Sequence, residues 1–343
     1  MNWRISTPNL NHSIKKHNME EQLFQPRTDL TELNNAVMSI RNEIRKIIVG
    51  QDEMVKLIIT ALLADGHVLI EGVPGVAKTL AAKLVARSVD AGFSRIQFTP
   101  DLMPSDVLGT PVFNPQQSAF EFKKGPVFSN IILVDEINRA PAKTQSALLE
   151  IMEERQATVD GKTYPMAQPF MVLATQNPVE QEGTYRLPEA QLDRFLFKIV
   201  VQYPSEMEEM AILSQFHNMG NSVALDLVHP VLGSQQIITL RQQIRTLVIE
   251  EKLLQFIAKL VHQTRIHKSI YLGASPRASL AIMNASKATA AISGRDFVTP
   301  DDILSVVPAV LRHRIILSPD KEMEGITEDE VIRQILQSMD VPR

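Results

Sequence analysis

Val68-Leu69-Ile70-Glu71-Gly72-Val73-Pro74-Gly75-Val76-Ala77-Lys78-Thr79-Leu80 runs from an apolar strand pattern, through a turn of glycines and a proline, into the start of a helix. That order is the signature of a phosphate cradle. Backbone N–H groups and the helix N-terminus face an anion, a lysine neutralises it, and a hydroxyl holds magnesium. Ala77 stands where a glycine usually precedes the lysine. So loose a pattern arises by chance in a chain of this length, so it does not decide the matter alone. A second stretch does: Asn130-Ile131-Ile132-Leu133-Val134-Asp135-Glu136. Its four apolar residues read as a buried strand that delivers Asp-Glu at its carboxyl end. Cradle and paired acids together make the two halves of a nucleotide-hydrolysing site.

Around these stretches the chain alternates. Short apolar runs at Val68–Ile70, Ile96–Phe98, Ile131–Val134, Met171–Ala174 and Leu196–Val201 are separated by amphipathic helix patterns at Leu80–Val89, Thr144–Glu154 and Pro188–Phe195. Such alternation predicts an α/β fold with a mostly parallel sheet covered on both faces. Two further helical patterns precede it, from Leu33 to Ile47 and from Glu53 to Leu63, with a break at Ile48-Val49-Gly50-Gln51. Residues 99–128 interrupt the alternation with prolines 100, 104, 111, 115 and 126 and are expected to form an inserted hairpin. Asp160-Gly161 predicts a second, smaller one.

Tyr203-Pro204 ends the sheet region. Beyond it lie helix-start signals: capping boxes at Ser205–Glu208 and Thr327–Glu330, and caps followed by proline at Ser275-Pro276 and Thr299-Pro300. The expected organisation is an extension over residues 1–32, a nucleotide-binding αβα domain over 33–204, and a smaller all-helical domain over 205–343. Residues 1 to about 30 are polar and without periodicity, as in a disordered tail or a partner-binding arm.

Bulk composition narrows the function classes. The chain has 343 residues, enough for two domains, with 22% charged and 44% apolar residues, as in ordinary globular proteins. A net charge of −4 gives no global footprint for nucleic acid or an anionic membrane. The absence of cysteine excludes disulfides, thiolate zinc sites and thiol nucleophiles. No apolar signal-peptide core follows Met1–Pro8, and no uninterrupted apolar run reaches the ~18 residues that span a bilayer. A cytoplasmic protein without membrane insertion is expected.

Residue chemistry then distributes the tasks. Lys78 is expected on the β- and γ-phosphates and Thr79 on Mg²⁺, with Gly72 and Gly75 letting the backbone approach the anion. Ala77 is expected to sit in the helix-starting conformation that an L-residue holds. Asp135 is placed to hold Mg²⁺ through water, and Glu136 to orient or deprotonate the attacking water. Thr175-Gln176-Asn177-Pro178 closes another apolar run, so an amide there can reach the γ-phosphate; Asn-Pro is also a common turn. Arg186 and Arg194 each fit either a surface ion pair or a finger offered to a neighbouring subunit. Arg277 lies just inside a helix start, from which the helical domain could lower it onto the γ-phosphate.

Taken in order, Val49-Gly50-Gln51, Gly72–Thr79, Val134-Asp135-Glu136-Ile137-Asn138-Arg139-Ala140-Pro141, Ala174–Pro178, Leu192-Asp193-Arg194-Phe195 and Gly273-Ala274-Ser275-Pro276-Arg277-Ala278 resemble the AAA+ ATPases, and more narrowly the MoxR family. The resemblance runs from about residue 33 to 340 and includes the alanine at 77. It implies a P-loop NTPase core with a helical lid, and ATP with Mg²⁺ at a subunit interface, usually of a hexameric ring. It places Ile48, Val49, Gly50 and Gln51 on the adenine side and Gly72, Val73, Pro74, Gly75, Val76, Ala77, Lys78, Thr79 and Leu80 around the phosphates. Asn177 resembles sensor 1, Arg277 sensor 2, and Arg194 the arginine finger, with Arg186 and Arg139 as weaker candidates. The proline-rich insert resembles the hairpin that splits the second helix in this branch. Family members act as chaperone-like ATPases that mature protein complexes, often with partners carrying a von Willebrand factor A domain. The alternatives carried beside this are a nucleic-acid motor, for which Lys123-Lys124 and Arg312-His313-Arg314 are the basic hints, a magnesium-chelatase-like ATPase subunit, and a nucleotide-gated scaffold.

Overall fold

The computed structural model describes residues 29–73, 75–177, 185, 187–219 and 227–342. Most of the N-terminal extension, with Pro74, Pro178 and Arg186, lies outside them. Five strands form one sheet: β1 Val68–Gly72, β2 Phe93–Gln97, β3 Ile131–Asp135, β4 Met171–Gln176 and β5 Phe197–Val201. Their order is β5-β1-β4-β3-β2, and every pairing is parallel. The α/β expectation thus holds, and each apolar run of the sequence contributes a strand.

Strand periodicity explains the layers. Successive side chains point to opposite faces. Val68, Ile70, Ile131, Leu133, Met171, Leu173, Phe197 and Ile199 enter one apolar core, while Leu69, Ile132, Val134, Val172 and Ala174 enter the other. Residues buried on both faces read as continuous apolar runs rather than as alternation, which is why β3 and β4 were legible.

Helices α1 Thr31–Arg45, α2 Asp52–Leu63 and α3 Lys78–Ser88 cover the first face; α4 Ala142–Glu154 covers the second. The first core continues through α5 Glu206–Met219, α6 Ser234–Arg245, α7 Glu251–Ile266, α8 Pro276–Ile292, α9 Pro300–Leu311 and α10 Glu328–Gln337 only in part: α6 to α10 supply Ile237, Leu260, Ile282, Val307 and Ile335 to it. One apolar cluster therefore spans the boundary expected at residue 204.

The insert forms a short helix, Pro104–Leu108, and an antiparallel hairpin of Gly109–Asn114 with Ala119–Lys124. Gln156–Val159 and Lys162–Pro165 make the second hairpin, turning at Asp160-Gly161 as expected. Phe122 of the first hairpin stacks on Tyr164 of the second, ring centroids 4.5 Å apart. The capping signals hold as well. Ser205 and Glu208 bond reciprocally, as do Thr327 and Glu330, and Ser275 Oγ accepts the Arg277 N–H at 3.2 Å.

Two expectations change. The helix pattern at Pro188–Phe195 yields only one turn, Glu189–Leu192. Beyond it Arg314 takes the Asp193 carboxylate at 2.7 Å, and the Leu196 N–H bonds the His67 carbonyl at 2.8 Å, drawing the chain into β5. The region after residue 204 is not purely helical either. Ile270–Leu272 pairs antiparallel with Ile316–Leu317, and Leu232–Gly233 pairs with Val89–Asp90 of the core. Among the described residues, no helix is long and apolar enough to cross a membrane.

Two buried histidines fasten these layers in the neutral form. His67 Nδ1 accepts the Val172 N–H at 3.0 Å, so Nε2 carries the proton and donates to the Met152 carbonyl at 3.1 Å. Burial, with the Arg155 charge second, pushes its pKa down to about 3. His313 bonds the Phe195 carbonyl at 3.0 Å and is held well below the ordinary histidine value, first by burial and then by Arg314. Both groups bind protons more readily when unfolded, so their stabilisation is complete above pH ~6.5 and declines as the pH falls below it, for His67 down to about 3. His67 alone should cost about 2 kcal/mol of unfolding free energy between pH 7 and pH 5. Urea denaturation at the two pH values, with His67→Gln as the variant that flattens the profile, measures this.

Candidate active site

Parallel strands bring their carboxyl ends to one edge, and the sheet order sets β1, β4 and β3 side by side there. Gly72, Gln176 and Asp135 therefore end neighbouring strands. At Gly72 a side chain is barred by packing: a Cβ would sit 2.8 Å from the Val201 carbonyl oxygen. A Cβ at Gly75 would meet nothing within 4 Å among the described residues, but Gly75 holds φ +87°, a left-handed backbone. Only the second of the two glycines thus serves the loop's conformation.

Ala77 departs from expectation. Its φ of 59° and ψ of 19° put it in the left-handed region, not the helical one. An L-residue there costs about 1–2 kcal/mol, offset by the turn that starts α3 at Lys78. Lys78 Nζ donates to the Gly72 carbonyl and, at 3.4 Å, to the Gln176 carbonyl, so its ammonium lies between the ends of β1 and β4.

Thr79 Oγ1 donates to Asp135 Oδ1 at 3.2 Å. The two groups expected to share one cation are therefore adjacent. Asp135 is buried and collects more partners: Thr175 Oγ1 at 3.2 Å and Arg95 Nε at 2.6 Å. A hydroxyl and a carboxylate are hard oxygen donors that suit Mg²⁺, which keeps most of its water and takes phosphate oxygens. Consistent with that, among the described residues no three His, Asp or Glu side chains gather into a self-contained metal cage.

Glu136 has φ 57° and ψ 52°. This left-handed turn directly after the strand gives the two neighbouring carboxylates different partners, Arg95 for Asp135 and Gln97 with Arg139 for Glu136. Gln97 Nε2 and Arg139 NH1 each donate to Glu136 Oε2 at 2.8 Å, and the Glu136 N–H donates to Thr175 Oγ1 at 3.0 Å. Arg139, a half-exposed side chain, is thus engaged on its own chain's Glu136 at the phosphate-loop edge. Asn177 follows Gln176 and is buried at the end of β4, between the strands that carry the cradle and the acids.

Ile48 is buried, and Gly50 and Gln51 both have positive φ. Gln51 Nε2 donates to the Gln202 carbonyl at 3.3 Å, just past β5, whose Val201 pairs with Gly72. The segment thus lies at the same edge as the cradle, with Glu208 of α5 against Gly50.

Arg194 and Arg277 are elsewhere. Arg194 precedes β5, whose parallel pairing with β1 puts it at the amino-terminal edge of the sheet. Five residues of strand, about 16 Å, separate that edge from the cradle. Arg277 joins it there, its NH2 and NH1 at 2.7 and 3.3 Å from the two oxygens of Glu153, to which Arg194 Nε also pairs at 3.4 Å. Arg277 is not brought to its own chain's phosphate loop, contrary to the expected lowering of the lid. The cause is the anchoring of this part of the helical region at the far edge, where Ser275 Oγ and Arg314 both hold Asp193.

Arg95, Gln97 and Glu153 escape the sequence reading, as do the bonds that Thr175 makes to Asp135 and Glu136. Arg95 and Gln97 share one face of β2 by strand alternation, and Gln97 pairs in register with Asp135. That signal is visible only once the strand order is known.

A parallel sheet of this order, with a lysine loop beside Asp-Glu, defines an ATPase of the AAA+ class. The profile of the ATPase family associated with various cellular activities (AAA) matches residues 67–197, and that of the AAA lid domain matches residues 262–335. Chaperone MoxR1 of Mycobacterium tuberculosis is 46% identical over 88% of this chain and 81% of its own length. The uncharacterized protein YeaC of Bacillus subtilis is 47% identical over 87% of this chain and 92% of its own. A crystal structure from Cytophaga hutchinsonii, of a protein taken to be an ATPase, superposes with a TM-score of 0.84 at 41% identity, covering 96% of this chain and all of that one (100%). The chain belongs to the MoxR family of AAA+ ATPases.

Glu136→Gln keeps the side chain's size and removes its charge. It should retain ATP binding and lower turnover by about two orders of magnitude or more. Binding of a fluorescent ATP analogue beside steady-state phosphate release checks both halves.

Proposed function

We propose that this chain is a cytoplasmic ATPase whose active site is completed by a neighbouring copy, and that the cycle remodels or matures partner protein complexes. The observation that carries the first part is the placement of Arg194 and Arg277 at the edge opposite Lys78. Two arginines that cannot meet their own phosphates are suited to meet another subunit's. Repeating such a contact head to tail closes a ring, and six members is the number the family resemblance implies.

In this reading Lys78 binds the β- and γ-phosphates, and Thr79 and Asp135 hold Mg²⁺. The metal, when bound, neutralises phosphate charge. Glu136, steadied by Gln97 and Arg139, orients or deprotonates water, and Asn177 senses the terminal phosphate. Arg194 of the neighbour stabilises the charge that builds as the phosphoryl group leaves. Work on protein complexes is supported by the chaperone name of the mycobacterial relative. A partner with a von Willebrand factor A domain follows from the family resemblance.

Lys78→Ala removes one half of a shared site and Arg194→Ala the other. Each variant alone should lose on the order of a thousandfold in turnover. Mixed together they should regain measurable activity, because some interfaces then unite an intact cradle with an intact arginine. Mixtures as inactive as their components overturn the shared-site reading.

A further inference from the structure

One carboxylate, Glu153, sits between both far-edge arginines. It lies in the last turn of α4, and its side chain is about one-third exposed (33%). Its two oxygens treat the arginines differently. Arg277 is gripped by both outer nitrogens, NH2 at 2.7 Å and NH1 at 3.3 Å. Arg194 is approached through Nε, at 3.4 Å, an atom buried from solvent and without a hydrogen bond among the described residues. The fork of Arg277 is thus occupied by Glu153, whereas Arg194 meets the same carboxylate at Nε.

Electrostatics gives this arrangement a purpose. Two guanidiniums meant for one phosphate repel each other on approach, and a carboxylate between them cancels part of that repulsion. The Arg277–Glu153 pair is partly exposed, so solvent screening keeps it weak and exchangeable. A terminal phosphate carries more charge than a carboxylate and presents more acceptor oxygens.

We propose that Glu153 is the positioning residue of the arginine pair: it backs Arg194 through Nε and holds Arg277 in register until a neighbour's terminal phosphate takes it over. This rests on the shared-site reading above and adds the group that sets the geometry of the shared half. Glu153 touches neither nucleotide nor water in this scheme; it acts through the two arginines.

Glu153→Gln tests the idea in the full-length chain. Turnover should fall by roughly ten- to a hundredfold, as expected when a charge-stabilising group loses its placement. ATP affinity at the variant's own cradle should stay within about twofold, since that cradle lies at the other edge. Glu153→Asp keeps the charge on a shorter arm and should recover part of the loss. The deciding measurement is complementation: Glu153→Gln mixed with Lys78→Ala should regain activity as Arg194→Ala does, because the Lys78→Ala subunit supplies an intact arginine edge. Full turnover in Glu153→Gln overturns the proposal. So does a loss that mixing does not repair while Arg194→Ala is repaired, which marks Glu153 as structural. Failure of Arg194→Ala to be repaired overturns the shared site and this proposal with it.

Discussion

The carboxylate of Asp135 is the knot of the nucleotide edge. It is buried at the end of β3, and it is reached from α3 by Thr79, from β4 by Thr175 and from β2 by Arg95. A buried carboxylate is tolerated only when its acceptor positions are filled, so the three donors and the acid require one another. Because each donor rises from a different element, the bond set also fixes how far the phosphate-loop helix stands from the central strands. The apolar runs bring these elements together; this polar junction sets their positions at the edge to within the length of a hydrogen bond.

The parallel sheet has a second consequence. Its carboxyl edge gathers the cradle, both acids and Asn177, while its amino edge gathers Arg194, Arg277, Asp193 and Glu153. The helical region is tied into the amino edge by Arg314 on Asp193 and into the rest of the chain by the continuous apolar core. The arginines are therefore carried on elements that are bonded to the sheet at its far edge. Polar seams reinforce it: buried Arg241 of α6 bonds Asp65 at 2.6 Å and the Leu62 carbonyl at 2.8 Å.

What was legible in the chain followed the physics of each signal. Strands buried on both faces announce themselves as apolar runs, and all of them were found. The cradle and paired acids are local in sequence, so their chemistry was readable without a fold. A helix start says where Arg277 lies along the chain but not which edge of a distant sheet its helix docks on. Ala77 was misjudged for a related reason: a residue beside a helix start is indistinguishable in sequence from the first helical residue, and only the dihedral reveals the left-handed turn. Gln97 and Arg95 needed the register of β2 against β3, which is a property of pairing rather than of either strand.

Glu136 occupies a backbone conformation that glycine holds more cheaply, and asparagine tolerates. The position thus exchanges stability for a carboxylate held between Gln97 and Arg139. A lineage of this chain freed from the need to turn over nucleotide would gain robustness by surrendering this residue first. Decay of the activity would then begin as a thermodynamic improvement, leaving a sturdier protein that still grips its ligand.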